Sequence, residues 1–128
     1  MNLEEYFAHR TGTGVLATSD AEGNVNGALY ARPHVLESDR VAFIMADRLS
    51  HANLQSNGKA AFIFRSDEEG YTGVRLYLTK LDETSDEAAV EELLGDACRH
   101  GSPRSKGTRY RVEFRVDRVR ALVGDKEL

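Results

Sequence analysis

Six apolar segments of strand length follow one another along this chain, and turn residues separate most of them. They are residues 15–18, 25–36, 41–46, 60–64, 71–81 and 110–123. A parallel sheet needs a crossover helix between successive strands, and this sequence has room for only about three helices. The order therefore predicts a mainly β chain of the α+β class, folded into a small antiparallel barrel of six strands.

Three short segments have the sequence signals of helices. Asn2, with Glu5 three residues later, predicts the start of a first helix, and residues 50–56 predict a second. Thr84 and Glu87 have the capping-box spacing that predicts the start of a third helix. The apolar stripe of this third helix would consist of Val90, Leu93, Leu94, Ala97 and Cys98. We therefore expect the cysteine to be a small buried hydrophobe.

Two of the predicted strands carry signs of an irregular backbone. In residues 25–36 apolar and polar side chains alternate, with Val25 and Leu29 on the apolar face. Pro33 cannot donate a backbone hydrogen bond, so we expect it at a sheet edge or a bulge. In the last strand the apolar positions change from even to odd numbers near Asp117, which predicts a bulge there.

The composition excludes several classes of protein. The chain has 128 residues, of which 41% are hydrophobic, so it can bury one core and we predict a single domain over residues 1–128. No apolar run approaches the roughly 20 residues of a membrane helix, and the acidic N-terminus is unlike a signal peptide. We therefore expect a cytoplasmic protein without membrane contact. The net charge of −4 argues against nucleic-acid binding.

Cysteine and histidine give no sign of a metal site or a nucleophilic site. The single cysteine excludes an internal disulfide and cannot form a zinc site by itself. The four histidines are scattered, without the spacing of zinc ligands or the partners of a catalytic triad. We therefore expect no metal, and the pattern names no catalytic residue.

The segment after the third predicted strand has the features of a phosphate-binding site. The strand ends at Ala46, Arg48 follows, and Ser50 stands where the next helix is expected to begin. The first turn of a helix presents unpaired N–H groups and the positive end of the helix dipole, which favour an anion. Arg48 would add a cation and Ser50 a hydrogen-bond donor. In the alternative interpretation, Ser50 only caps the helix and Arg48 is solvated.

Segments of the chain resemble, in order and spacing, the pyridoxamine 5′-phosphate oxidase-like family of FMN-binding split barrels. The similar segments are residues 14–20, 30–35, 42–46, 53–57 and 70–79. The resemblance covers nearly the whole chain. It implies a six-stranded antiparallel Greek-key split barrel with about three helices. It also implies a homodimer with one FMN in each of two clefts between the subunits.

The resemblance assigns cofactor-binding roles to two groups of residues. Along the flavin ring, on the second strand, it places Leu29, Tyr30, Ala31 and Arg32. Around the phosphate it places Ile44, Met45, Arg48, Leu49 and Ser50, with His51 and Asn53 in the same turn. The apolar third strand, residues 41–46, and the last strand are candidate contributors to the dimer interface.

The chain departs from the family in ways that bear on function. Many members carry a lysine at or just before the position of Ser50, and here Arg48 is the nearby cation, so a lower FMN affinity is expected. The C-terminal arginine and proline segment that holds pyridoxal is missing, so vitamin B6 oxidation is not expected. The resemblance implies an FMN-dependent oxidoreductase for an unidentified small-molecule substrate. The alternatives are a non-catalytic flavin or haem carrier for electron transfer, and an F420-dependent reductase of the same fold.

Overall fold

The computed structural model describes residues 1–37, 39–95 and 107–128, which contain three helices and seven strands. The helices are α1 (Leu3–Ala8), α2 (Leu49–Ser56) and α3 (Glu87–Leu94). The strands are β1 (Gly12–Ser19), β2 (Val25–Tyr30), β3 (His34–Glu37), β4 (Arg40–Ala46), β5 (Lys59–Ser66), β6 (Gly73–Thr84) and β7 (Arg109–Ala121). The predicted burial of Cys98 lies outside the described residues. None of the described helices is long and apolar enough to span a membrane.

The strands form one antiparallel sheet in the order β2-β1-β5-β6-β7-β4-β3. The two edge strands, β2 and β3, are neighbours in sequence and are joined only by residues 31–33. The sheet therefore curls, and Tyr30 at the end of β2 contacts Phe43 of β4 with ring centroids 5.8 Å apart. A mainly β fold with three helices was predicted, and the described residues confirm it.

The prediction of a six-stranded split barrel is not confirmed in its strand count. Among the described residues the sheet has seven strands, and β2 and β3 are not hydrogen-bonded to each other. The predicted strand over residues 25–36 is divided in two because Pro33, which lacks an N–H group, lies where the chain crosses from one sheet edge to the other. The expectation of a sheet edge at Pro33 is therefore correct.

The concave side of the sheet holds the core, which is rich in phenylalanine. The rings of Phe43 and Phe62 are 5.0 Å apart, and Phe43 also contacts Phe114. The core cluster comprises Leu3, Phe7, Leu16, Val41, Phe43, Met45, Leu54, Phe62, Phe64, Val74, Leu76, Leu78, Val112 and Phe114. Because strand β4 is covered on both of its faces at Val41 and Ala42, its apolar side chains are used within the subunit.

Local signals predicted the start of α1 correctly and the start of α3 incorrectly. The side chain of Asn2 accepts a hydrogen bond from the Glu5 N–H group at 3.0 Å and caps α1 as expected. Thr84 instead belongs to β6, and its hydroxyl accepts from the Asp86 N–H group at 3.1 Å. The cap position of α3 is Asp86, so the predicted capping box does not form.

The bulge predicted in the last strand is confirmed. Tyr77 of β6 pairs with Arg118, whereas the next residue, Leu78, pairs with Val116. Asp117 is therefore the extra residue on β7, and the change of phase returns Val119 to the side of the core.

The convex side of β1, β2 and β5 carries exposed apolar residues. Val25 is 82% exposed and Leu29 is 77% exposed, although both were predicted on the apolar face of their strand. Leu29 pairs with Val15, which in turn pairs with Ile63, so the side chains form a cross-strand row. We call Val15, Val25, Leu29 and Ile63 the outer apolar patch.

Candidate functional site

The connection between β4 and α2 forms the corner at which the sequence predicted a phosphate site. We call residues 46–50 the β4–α2 corner. The Arg48 N–H group donates to the Ala46 carbonyl at 2.9 Å, and the Ala52 N–H group donates to the Arg48 carbonyl at 3.0 Å. Arg48 is thus the cap residue of α2, and its side chain makes no capping hydrogen bond. No cap side chain accepts from the first N–H groups of α2, which is the arrangement that suits an anion.

Ser50, at which the helix was predicted to begin, lies inside the first turn of α2, one residue past the observed start at Leu49. Because Leu49 and not Ser50 is the first helical residue, Ser50 is not the cap. Its side chain is buried, with 4% of the residue exposed, and it faces the Tyr30 hydroxyl, whose pKa it lowers. The interpretation of Ser50 as a simple helix cap is therefore wrong.

Tyr30 brings the end of β2 to the same corner. Burial raises the pKa of the Tyr30 hydroxyl, and this rise is opposed by the hydrogen bond with Ser50 and by the positive charge of Arg48. Tyr30, Arg48 and Ser50 were all predicted as site residues, and the structure brings them together. Their side chains place a phenol, a guanidinium and a hydroxyl group beside the first turn of a helix.

His51 and Asn53 lie in the same turn but their side chains contact the sheet. The Nε2 atom of His51 is 2.9 Å from Oε2 of Glu83, and its ring stacks on Tyr110 with centroids 3.7 Å apart. The Asn53 amide donates to the Thr18 hydroxyl at 3.1 Å. These two predicted site residues therefore attach α2 to the sheet.

The predicted ring-binding residues of β2 point in different directions. Leu29 belongs to the outer apolar patch, whereas Tyr30, next in sequence, faces the core. Ala31 is exposed. The Arg32 guanidinium donates to the carbonyl oxygens of Phe7 and Arg10, the latter at 2.6 Å, and so holds the C-terminal end of α1. The structure brings Tyr30 to the β4–α2 corner and Arg32 to α1.

The three remaining predicted residues differ in accessibility. Met45 is part of the core and is almost completely buried. Ile44 is half-buried, and it pairs with Arg111 of β7. Leu49 is 57% exposed at the start of α2. Ile44 and Leu49 are therefore accessible to a ligand at the corner, and Met45 supports the strand from within.

A cavity of about 270 Å³ lies beside the short link between β2 and β3. It is lined by Glu4, Phe7, Ala8, Arg32, Pro33, His34 and Val35. Burial lowers the pKa of His34, and the nearby positive charges of Arg111 and Arg32 lower it further. His34 is therefore a largely neutral imidazole near the guanidinium groups of Arg32, which lines the cavity, and Arg111, which does not.

Sequence reasoning missed the contributions of Glu83, Tyr110 and Arg111. These residues lie on β6 and β7, far in sequence from α2, and no local motif connects them to it. The strand register alone brings them near the site, because β7 pairs with both β4 and β6. Within the described residues, no group of three or more His, Cys, Asp or Glu side chains could hold a metal ion.

Solved structures share this fold at low sequence identity. An FMN-binding protein from Syntrophomonas wolfei superimposes with a TM-score of 0.75 and 16% identity, covering 98% of this chain and 86% of that one. A protein of the pyridoxinephosphate oxidase family from Clostridium acetobutylicum gives a TM-score of 0.70 and 17% identity, covering 98% and 87%. The chain has the fold of the pyridoxamine 5′-phosphate oxidase-like proteins. The resemblance inferred from the sequence is thus supported by the fold.

The structures with this fold also include a protein whose name refers to F420. An F420 reductase superimposes with a TM-score of 0.68 and 16% identity, covering 91% of this chain and 94% of that one. No protein-family model matches the chain, and no curated protein matches its sequence. The fold alone therefore does not distinguish FMN from F420, and only the residues of the site can favour one of the two cofactors.

Proposed function

We propose that this protein binds FMN, with the phosphate at the β4–α2 corner. The observation that carries the proposal is the convergence of Tyr30, Arg48 and Ser50 on the first turn of α2. A doubly charged phosphate fits a helix N-terminus with an adjacent guanidinium and hydroxyl donor. Arg48 is exposed and makes no capping contact, so its side chain can turn toward a ligand.

The other predicted residues are proposed to support the flavin from several sides. Residues 29–32 would lie along the ring, and Ile44 and Leu49 would contact the ribityl and phosphate end. Met45, His51 and Asn53 would act from beneath by fixing β4 and α2. These roles follow the family resemblance, and the accessibility of Ile44 and Leu49 supports them.

We further propose that the protein is an oxidoreductase for a small-molecule substrate. Bound FMN supplies the electron or hydride transfer, and the protein supplies binding, orientation and exclusion of water. The neutral His34 and the cations beside it border the proposed ring position, so they are the groups that a substrate would meet there. The alternative to be tested is a protein that carries the flavin without turnover.

The experiment that tests FMN binding is a titration of the apo-protein, followed by flavin fluorescence. We expect saturation at one FMN per chain, and much weaker binding of F420 or haem when each is titrated and followed by its own absorption spectrum. The variant Arg48→Ala should weaken FMN binding by about one to two decades and hardly change riboflavin binding, because a charge-assisted hydrogen bond contributes roughly 1.5–3 kcal/mol. No FMN binding at high micromolar concentration, or equal losses for FMN and riboflavin, would contradict the proposal.

A homodimer is proposed to complete the flavin cleft. Exposed apolar residues that share a surface are typical of protein interfaces, and the outer apolar patch combines the exposed Val25, Leu29 and Ile63 with the half-buried Val15. Residues 41–46, which were predicted to contribute, have their apolar side chains largely buried within the subunit, so the patch is the better candidate. Leu29 belongs both to the patch and to the proposed ring contacts, which would put the interface beside the cleft.

Light scattering tests the dimer. The wild-type protein should have about twice the chain mass at micromolar concentration, and Val25→Lys should shift it toward the monomer because a charge would be buried in the interface. Glu22→Lys, in the exposed turn before β2, is the matched control and should leave the mass unchanged. A wild-type monomer that still binds FMN would exclude the shared cleft.

A further inference from the structure

The face of α2 that packs against the sheet is mostly polar. Ser50, His51 and Asn53 are buried there, with Leu54 as the apolar contact. Hydrogen bonds require a particular direction as well as a short distance, whereas apolar contacts have no preferred direction. The orientation of the first turn of α2 therefore depends on the groups that bond to these side chains.

Glu83 is the centre of this polar docking. Its carboxylate oxygens lie 2.9 Å from Nε2 of His51 and 2.8 Å from Nε2 of Gln55, so it contacts two residues one helical turn apart. Lys80 also donates to the carboxylate, and Tyr110 stacks on the His51 ring. His51, which directly follows Ser50, is thus held by a carboxylate and by an aromatic ring.

The charge of Glu83 is maintained by its partners. Burial raises the pKa of this carboxyl, but hydrogen bonds from Gln55, Lys80 and His51 outweigh that effect and lower the pKa to about 2. The group is therefore ionised at neutral pH, and an ionised acceptor makes stronger hydrogen bonds than a neutral one. Lys80 balances its charge, which would otherwise disfavour an anion near α2.

We propose that Glu83 is a positioning residue for phosphate binding: by holding His51 and Gln55 it orients the first turn of α2, which carries Ser50. This inference rests on the proposed function, because the phosphate is that of FMN. Glu83 itself does not touch the ligand and acts only through α2. Ser50 faces the Tyr30 hydroxyl at the end of β2, so the same turn of α2 is close to both β2 and β6.

A first experiment needs no ligand. Amide hydrogen exchange and the ring resonances of His51 are measured by NMR for the wild type, Glu83→Ala, Glu83→Gln and the exposed control Glu91→Ala. In Glu83→Ala we expect exchange at Ala52, the first amide of α2 with a backbone acceptor, to accelerate about tenfold, and the His51 resonances to lose the ring-current shift of Tyr110. Glu83→Gln should keep most of the slow exchange and of the ring-current shift that Glu83→Ala loses. Glu91→Ala should match the wild type in both measurements.

The same exchange and resonance measurements can also overturn the positioning role of Glu83. If Glu83→Ala leaves the exchange at Ala52 and the His51 resonances unchanged, Glu83 does not orient α2, whether or not the chain binds FMN. A rise in exchange over the whole chain would also overturn it, because general destabilisation would then explain the effect.

A second experiment measures the consequence for the ligand. Dissociation constants for FMN and riboflavin are determined with the same variants. Glu83→Ala should weaken FMN binding by about tenfold and riboflavin binding by less than about twofold, because only the phosphate depends on the first turn of α2. Equal losses for both ligands would overturn the phosphate role. A wild-type protein that binds no FMN would overturn the proposed function and this role together, while the exchange experiment still decides whether Glu83 orients α2.

Discussion

The helices α1 and α2 attach to the same sheet by opposite means. α1 buries Leu3 and Phe7, and the Phe7 ring packs on Phe64 with centroids 5.2 Å apart. α2 buries three polar side chains beside Leu54, and hydrogen bonds attach it to β1 and β6. Apolar packing gives more net stability per residue, and hydrogen bonds specify orientation better.

The difference matches the positions of the two helices. The described contacts of α1 are structural: it covers one end of the core and receives the Arg32 side chain. α2 carries the proposed phosphate site, where a displacement of about 1 Å is enough to impair binding or catalysis. We therefore expect changes in α1 to alter stability first, and changes in α2 to alter binding first.

The largest expected effect is the loss of the apolar anchor of α1. Phe7→Ala should lower the free energy of unfolding by about 3–5 kcal/mol, because it removes a buried ring and leaves a cavity against Phe64. Urea denaturation measures the loss, and any protein that remains folded should retain its preference for FMN over riboflavin. Glu5→Ala, exposed on the same helix, should change stability by less than about 0.5 kcal/mol. A Phe7→Ala protein as stable as the wild type would show that α1 is not held by apolar burial.

This comparison also shows what the sequence could predict. The cap of α1 depends on neighbouring residues and the bulge at Asp117 on simple alternation, and both predictions were correct. The start of α3 was wrong, since Thr84 continues β6 and a capping-box pattern does not reveal that the strand extends. Local rules succeed where no distant segment competes for the residue.

The candidate site was predictable only in part. Arg48 and Ser50 are recognisable because the end of a strand and the start of a helix lie next to each other in sequence. The contacts of Glu83 and Tyr110 with His51 depend on the register of β6 and β7, which no local pattern specifies. The exposure of Val25 and Leu29 was likewise hidden, because alternation identifies two faces of a strand without saying which one meets the core.

A smaller effect is expected from the hydrogen bond between α2 and β1. Asn53→Ala should lower the free energy of unfolding by about 1–2 kcal/mol, because it removes this hydrogen bond and leaves the buried Thr18 hydroxyl without its partner. The double variant Asn53→Ala/Thr18→Val should lose about 1 kcal/mol less unfolding free energy than the sum of the losses in the two single variants. Strictly additive losses, measured by urea denaturation, would mean that α2 is not docked by this bond.

The smallest expected effect is a pH dependence of stability that comes from Glu83, the carboxylate in contact with α2. The pKa of Glu83 is lowered from the usual 4.5 to about 2, so in the folded protein the carboxylate keeps its charge at pH values where the unfolded chain takes up a proton. Its contribution to stability is therefore complete above about pH 5 and is lost as the pH falls from about 4.5 to 2. Glu83 is 24% exposed, so screening by solvent keeps the contribution modest. Urea denaturation at several pH values should show a steeper acid loss in the wild type than in Glu83→Gln, which cannot titrate. Phe7→Ala should keep the wild-type dependence of unfolding free energy on pH, since α1 makes no contact with this carboxylate in the part of the chain that the structure describes. If the unfolding free energies of wild type and Glu83→Gln change in parallel with pH, Glu83 does not help to dock α2.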